Sequence, residues 1–190
     1  MNIFSDKDMK EFNIVDNFLN DDEMHFLKEY FEYKHVWAFG LKSTASSRGT
    51  MFKAELKDKP FFNEYLVTKI CKEFNLSHVN PDEIHANGQT ILNDGTWHHD
   101  FLTKYDGSSP PYNQMWTVIL YVSDINRDNV EEIQGHTQIR MDDNKIISIE
   151  PFKNRLIIFD SSRQHRGLGP SIPGFLRISI TFKLKKCDKI

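Results

Sequence analysis

The 190-residue chain holds two cysteines, Cys71 and Cys187, far apart from one another. Two isolated thiols make neither a disulfide framework nor a zinc knuckle, and they fit a reducing compartment. Long apolar runs are also missing: no stretch approaches the roughly 20 residues needed to span a bilayer. The opening MNIFSDKDMKEF is acidic and polar where a secretory leader needs an apolar segment. A cytoplasmic setting is expected, the host cytoplasm if the chain is viral. Charge of one sign is not in excess. With 24 Lys and Arg against 27 Asp and Glu, the net charge is −3, which argues against bulk attraction to nucleic acid or anionic membrane but leaves room for a local basic groove. There is no internal repeat and no low-complexity segment.

What is present begins with aromatics: 15 phenylalanines, most of them expected in a core. The length predicts one domain over 1–190, with residues 1–80 as a helical N-terminal support and 81–184 as a β-rich core. Asn20 followed by Glu23 has the form of a capping box. Met24, Leu27 and Phe31 then share one helical face, and Phe26, Tyr30 and Tyr33 form a second aromatic stripe, so this helix is expected to be covered on two sides. A second helix is predicted from Pro60, with Phe62, Leu66, Ile70 and Phe74 as its apolar stripe. Residues 40–50 read as a loop.

From about residue 82 the pattern becomes one of short β-rich runs: 83–92, 96–102, 115–124, 136–141, 145–150, 155–160 and 175–184, separated by Gly, Pro, Asn and Asp clusters. No helical crossovers intervene, which argues against a parallel α/β sheet. The predicted fold is mainly β with N-terminal helices, a jelly roll (double-stranded β-helix, cupin-like) with the helices packed on one sheet.

Trp97-His98-His99-Asp100 carries the strongest chemical signal. If it starts a strand, His98 and Asp100 point to one face and His99 points away, with the Cα atoms of 98 and 100 roughly 6.6 Å apart. Imidazole and carboxylate with a second distant His make a facial triad that leaves three positions of an octahedral ion open. Taken alone, a motif of three residues fits two surface histidines beside an acid better than it fits a metal site. The C-terminal region adds to it. His165 follows the apolar run 155–160 and a short turn, and Arg177 follows on a further strand. Alternation puts Arg177, Ser179 and Thr181 on one face of that strand, and Leu176, Ile178, Ile180 and Phe182 on the other. An Arg on so apolar a strand needs an anion if it is buried, and its planar fork suits a carboxylate. A local Asp or Glu, or water at the surface, would satisfy it as well.

The stretches NGQTILNDGTWHHD (87–100), MWTVILYVS (115–123) and NRLIIFDSSRQHRGLGPSIPGFLRISITFKL (154–184) resemble the Fe(II)/2-oxoglutarate dioxygenase superfamily, and within it the prolyl-4-hydroxylase-like proteins, including small bacterial and phage members. The order is the family's: H-x-D, a distal His, then a basic residue about a dozen positions on. The resemblance implies Fe(II) on His98, Asp100 and His165. It further implies 2-oxoglutarate as co-substrate, its far carboxylate held by Arg177 with Tyr121 and Ser179 assisting, and O₂ as oxidant. It makes the chain an oxidoreductase that hydroxylates a C–H bond of a peptide or protein residue. Two features depart from the family: residues 132–136, EIQGH, carry one glycine where two are usual, and no Tyr stands near Asn87 and Gln89. Trp116 and the loop 103–114 are expected at the substrate entrance, and His136 at a strand edge.

Four other readings compete. They are the same chemistry on a small metabolite such as a free amino acid, a dealkylase of nucleic acid, a cupin-type binding module without catalysis, and a zinc hydrolase. The dealkylases of the superfamily carry a second Arg six residues after the first, where this chain has Lys183. A binding module has no use for a buried anion anchor, and a zinc hydrolase needs a general-base acid near the metal.

Overall fold

The computed structural model describes residues 12–41, 50–77, 79–100, 115–142 and 144–186. Among these residues, ten strands form two antiparallel sheets. In chain order they are β1 (Phe12–Val15), β2 (Ala38–Leu41), β3 (Met51–Glu55), β4 (Val79–Gln89), β5 (Met115–Tyr121), β6 (Thr137–Arg140), β7 (Ile146–Ile149), β8 (Leu156–Asp160), β9 (His165–Gly167) and β10 (Arg177–Lys186). The major sheet has the order β1-β8-β5-β10-β4-β3-β2 and the minor sheet β7-β6-β9.

Period-2 alternation assigns each face of the major sheet. Ile178, Ile180, Phe182 and Leu184 of β10, Val118 and Leu120 of β5, and Leu156 and Ile158 of β8 pack against the N-terminal helices. On the opposite face, Ile119 and Tyr121 of β5 and Ile157 and Phe159 of β8 meet Ile139 and Ile149 of the minor sheet. The core is therefore two layers thick, and the space between the sheets is apolar at the β5–β8 side. Toward β10, β4 and β3 the inward face turns polar. This is the jelly roll expected from the strand spacing.

Helix α1 (Asp21–Glu29) starts as predicted. The Asn20 side chain accepts from the Glu23 amide at 2.9 Å, and the Glu23 carboxylate accepts from the Asn20 amide at 2.7 Å. The helix runs on through a wider π-type turn (Tyr30–Lys34), and a second such turn (Phe61–Leu66) precedes α2 (Val67–Glu73). Met24, Leu27 and Phe31 on the first helix are buried, as are Phe62, Leu66, Ile70 and Phe74 on the second. Each such side chain contributes about 1.5–3 kcal/mol by leaving water. The second aromatic stripe is shorter than its pattern implied: Phe26 and Tyr30 pack on the core, but Tyr33 is 79% exposed, because the π turn rotates it off the 3.6-residue register. Cys71 lies in α2 as a free thiol, and Cys187 is outside the described residues.

The N-terminal third is more than a helical support. β1, β2 and β3 belong to it, and they form both edges of the major sheet. Of the loop expected over 40–50, residues 42–49 lie outside the described residues, as does the proposed lid 103–114. No helix among the described residues is long and apolar enough to cross a membrane.

Candidate functional site

His98, Asp100 and His165 meet between the sheets, with one ligand atom from each within 4.8 Å of the others. Residues 96–100 do not form a regular strand, contrary to expectation. They run beside β9, tied at intervals by backbone hydrogen bonds. Gly95 N donates to Gly167 O at 2.8 Å, His98 and His165 exchange a reciprocal pair at 3.0 Å, and Asp100 N reaches Ser161 O at 3.3 Å. The two histidines, 67 positions apart, are thereby locked as direct cross-strand neighbours. His98 and Asp100 still face the same way. His99 turns to the Ser162 carbonyl through Nδ1 at 2.7 Å and stays out of the trio.

Both histidines are oriented from behind. His98 Nδ1 lies 2.8 Å from Thr96 O, and His165 Nδ1 lies 3.1 Å from Arg163 O. A carbonyl oxygen accepts, so each Nδ1 carries a proton, and in the neutral ring that a metal binds Nε2 is the atom with the lone pair. Those lone pairs face the Asp100 carboxylate, with His98 Nε2 at 3.6 Å from Oδ1 and His165 Nε2 at 3.3 Å from Oδ2. Ligands about 2.1 Å from one ion and at right angles lie about 3 Å apart, close to this spacing. Two imidazole nitrogens and a carboxylate converging at this spacing are three electron-pair donors, and such a donor set fits a divalent metal. Burial, reinforced by His165, lowers the His98 pKa and favours the neutral ring that a metal needs. Burial alone would raise the Asp100 carboxyl, but His165, Lys183 and His98 hold it well below its ordinary value. Thr117 on β5 donates to Asp100 Oδ2 at 3.1 Å and lies 2.9 Å from the Ser161 hydroxyl.

A cavity of 260 Å³ opens at this trio and is floored by the polar face of β10 and β4. Arg177 occupies one end and is 2% exposed. Its Nε donates to Gly135 O at 2.5 Å. Nη1 donates to Gln89 Oε1 at 2.7 Å and to Ser179 Oγ at 3.3 Å, and Nη2 donates to Thr137 Oγ1 at 3.1 Å. All of these acceptors are neutral. Among the described residues no carboxylate pairs with Arg177, and burial lowers its pKa with only the Tyr121 ring opposing. A local acid therefore does not explain this guanidinium. It is a buried cation on the cavity wall with neutral protein partners, and it fits a ligand carboxylate.

Tyr121, expected to share in that contact, is buried with its ring centroid 5.4 Å from the guanidinium carbon. Its hydroxyl donates to Thr137 Oγ1 at 2.7 Å, so Thr137 is the hydroxyl that faces the cavity and Tyr121 stands behind it. Ser179 lines the cavity. Gly135, the single glycine of EIQGH, has φ +81°, and a Cβ there would come within 2.8 Å of Arg177 Cδ. Backbone conformation and the arginine both require glycine at this position. His136 is half-buried just before β6 and does not line the cavity.

Trp116 does not stand at an entrance. It is 4% exposed in the helix-facing core, with Lys186 Nζ 4.1 Å above its ring. On β5, alternation sends 116, 118 and 120 to the helices and 117, 119 and 121 to the cavity side. Several site residues escaped the sequence reading: Gln89, Thr117, Thr137, and the cluster of Lys53, Glu83, His85 and Lys183 at the far end of the cavity. The strand patterns of β4 and β5 carried a signal for the first two. Lys183 continues the alternation 177-179-181 by one step.

A family model described as the 2OG-Fe(II) oxygenase superfamily matches residues 88–184, just over half of the chain. No curated protein matches the chain in sequence. Similar solved structures include a Trichoplax adhaerens prolyl hydroxylase in complex with a peptide of the hypoxia-inducible factor oxygen degradation domain. It is 16% identical, covers 93% of this chain and 84% of its own, and has a TM-score of 0.67. A Pseudomonas putida prolyl-4-hydroxylase is 15% identical, covers 96% of both chains and has a TM-score of 0.65. HygX from Streptomyces hygroscopicus, solved with nickel and 2-oxoglutarate bound, is 10% identical, covers 95% and 85%, and has a TM-score of 0.68. At these identities the likeness is one of fold, the double-stranded β-helix.

Proposed function

Because the chain belongs to the 2OG-Fe(II) oxygenase superfamily, we propose that His98, Asp100 and His165 hold its Fe(II), and that Arg177 anchors the far carboxylate of its 2-oxoglutarate. The reaction so assigned is hydroxylation of an aliphatic C–H bond, on a prolyl or other residue of a peptide or protein. When bound, iron supplies the oxidative chemistry: 2-oxoglutarate and O₂ become succinate and CO₂, and one oxygen atom enters the substrate C–H bond.

The protein's own part is positioning. Thr96 and Arg163 carbonyls fix both imidazoles with Nε2 inward, and Thr117 fixes the carboxylate between them. Arg177 offers a buried fork to a dicarboxylate, with Ser179 and Thr137 beside it and Tyr121 behind. The cavity joins the two, and its sheet walls keep bulk water from the reacting groups. The observation that carries the reading is Arg177, a fully buried cation with no acidic partner among the described residues, on the wall of the cavity that holds the three converging donors. It also weighs against a cupin-type binding module.

A second reading, the same chemistry on a small metabolite, draws support from the charged cluster Lys53, Glu83, His85 and Lys183 on the cavity wall. The test of the shared chemistry is spectroscopic. Anaerobic Fe(II) with 2-oxoglutarate is expected to give a weak visible charge-transfer band. Binding of zinc without affinity for 2-oxoglutarate would sink the assignment. Succinate release against a panel of Pro-containing peptides and free amino acids then separates the two substrate classes.

A further inference from the structure

The cavity has a second polar end, and its make-up bears on the substrate. Arg177 and Gln89 are paired across β10 and β4, and the pairs Ser179–Asn87, Thr181–His85 and Lys183–Glu83 continue the same polar row. Arg177 and Lys183 are thus about 20 Å apart along the strand at the backbone, and Asp100 meets the row at its Lys183 end. There, Lys183 Nζ lies 2.8 Å from Glu83 Oε2 and 3.3 Å from Asp100 Oδ1. Lys53 on β3 lies 2.8 Å from Glu83 Oε1 and 2.7 Å from Glu55 Oε1. His85 Nδ1 stands 3.0 Å from Glu83 Oε1 but out of line for a hydrogen bond, and it has no other partner among the described residues.

The charges here do not balance once the site is at work. Two ammonium groups, 16% and 21% exposed at their side chains, share one largely enclosed carboxylate, Glu83. The Glu55 side chain is 68% exposed, so water screens it. The Asp100 charge is committed to the metal trio. Donors also exceed acceptors: each ammonium has three N–H groups and uses two here. A wall so rich in donors, within reach of the metal ligands, calls for an anionic acceptor from the ligand. A prolyl residue inside a peptide offers neutral amides at this distance, and a free acid offers a carboxylate.

We propose that Lys53 and Lys183, set by Glu83 and His85, form the substrate-recognition end of the cavity, and that they take the carboxylate of a small acid such as a free amino acid. This rests on the oxygenase chemistry proposed above and favours its second substrate class, the small metabolite, over a residue within a peptide. Glu83 is the fulcrum of the arrangement. It holds both ammonium groups at bonding distance and leaves one N–H of each for the ligand, while His85 stands beside the same carboxylate.

The test uses the full chain loaded with Mn(II) and saturating 2-oxoglutarate under argon. Probes are matched pairs differing in the carboxylate alone, L-proline with L-prolinamide and L-leucine with L-leucinamide, together with an N- and C-blocked proline tripeptide. Paramagnetic relaxation of the probe carbons reports proximity to the metal. At least one acid is expected to relax far more strongly than its amide. Lys53→Met, which lies away from the metal ligands, is expected to weaken that acid by about tenfold or more and to erase the preference for acid over amide. The same acid is expected to stimulate succinate release aerobically, with the loss in Lys53→Met falling on KM. Equal relaxation by acids and amides, preference for the blocked tripeptide, or an acid preference that survives Lys53→Met overturns the proposal. Failure of 2-oxoglutarate itself to bind overturns the oxygenase reading instead, so the two outcomes are distinct.

Discussion

Replacing Arg177 by Met separates an anchor for a ligand from a structural arginine, because one role puts the loss in ligand affinity and the other puts it in stability. A structural arginine is one whose charge is answered within the fold, and removing a partner from a buried ion pair costs about 3–5 kcal/mol. Arg177 has no such partner among the described residues, only Gly135 O, Gln89, Ser179 and Thr137. Exchanging an unanswered buried charge for an apolar group of similar volume gains about 1–4 kcal/mol. Against that, Gly135 O is left without its donor, at about 1–3 kcal/mol. Gln89 keeps the bonds its Nε2 donates to Asn93 O and Gly167 O, and Thr137 keeps Tyr121, but Gln89 Oε1 loses Arg177 as its donor, a second cost of about 1–3 kcal/mol. At the midpoints, a cost of about 4 kcal/mol against a gain of about 2.5 leaves a net loss of about 1.5, so the melting temperature without ligand should fall by no more than about 6 °C, at about 2–4 °C per kcal/mol for a chain of this size. Affinity for 2-oxoglutarate should collapse. Two charge-assisted hydrogen bonds at about 1.5 kcal/mol each, the low end, already amount to more than a hundredfold in Kd. Calorimetric melting with and without 2-oxoglutarate, and anaerobic titration of the visible band, measure both quantities. A drop of more than about 10 °C in the ligand-free variant, with 2-oxoglutarate affinity unchanged, would refute the anchor.

Other outcomes follow from the same geometry. His98→Ala should abolish the anaerobic charge-transfer band, while its circular dichroism stays that of the wild type. Gly135→Ala should lower stability by about 1–3 kcal/mol, because residue 135 has φ +81° and the new methyl meets Arg177; it should also weaken 2-oxoglutarate binding, both read by melting with and without the co-substrate. At Glu23, burial would raise the carboxyl, but Lys69, Tyr65 and the Asn20 amide outweigh it and the pKa falls below 4.5. With the folded value below the unfolded one, this stabilisation is present above about pH 4.5 and is lost as the pH falls further. Melting curves between pH 3 and 6 should therefore flatten in Glu23→Gln, and an unchanged acid limb would count against the linkage.

Legibility in the sequence tracked how far each pattern runs. β10 was readable because Arg177 through Leu184 alternate without a break, and the faces assigned to Arg177 and Ser179 are the faces they occupy. The capping box at Asn20 and Glu23 is a local pattern closed by local hydrogen bonds, so it too survived folding. β1, β2 and β3 are four or five residues long, and too short a run alternates convincingly in almost any context; long-range pairing, not local pattern, makes them strands. Residues 96–100 were read as a strand because they are flanked by turns, whereas their extended form comes from hydrogen bonding to β9. Trp116 was misplaced because an aromatic beside a loop suggests a mouth, while the alternation of its own strand sends it to the helices. Lys183 continues the face assigned to Arg177, Ser179 and Thr181, but Glu83 and Lys53 reach it only through the pairing of β10 with β4 and of β4 with β3, so the cluster could not be assembled in advance.

The place of β10 in the sheet has a further consequence. It is C-terminal to every other strand, yet it lies fourth of seven, between β5 and β4. As the chain leaves the ribosome, β4-β3-β2 and β1-β8-β5 can each associate, but each then presents a long unpaired edge until residues 177–186 arrive between them. The interval is one of exposure to aggregation and to chaperones. The contacts that close it join residues 58 to 107 positions apart, which makes the closing step slow. Arg177 is carried on that same strand. The molecule thus acquires its anion anchor in the event that joins its two half-sheets, and a chain broken before residue 177 should be both unclosed and blind to its co-substrate.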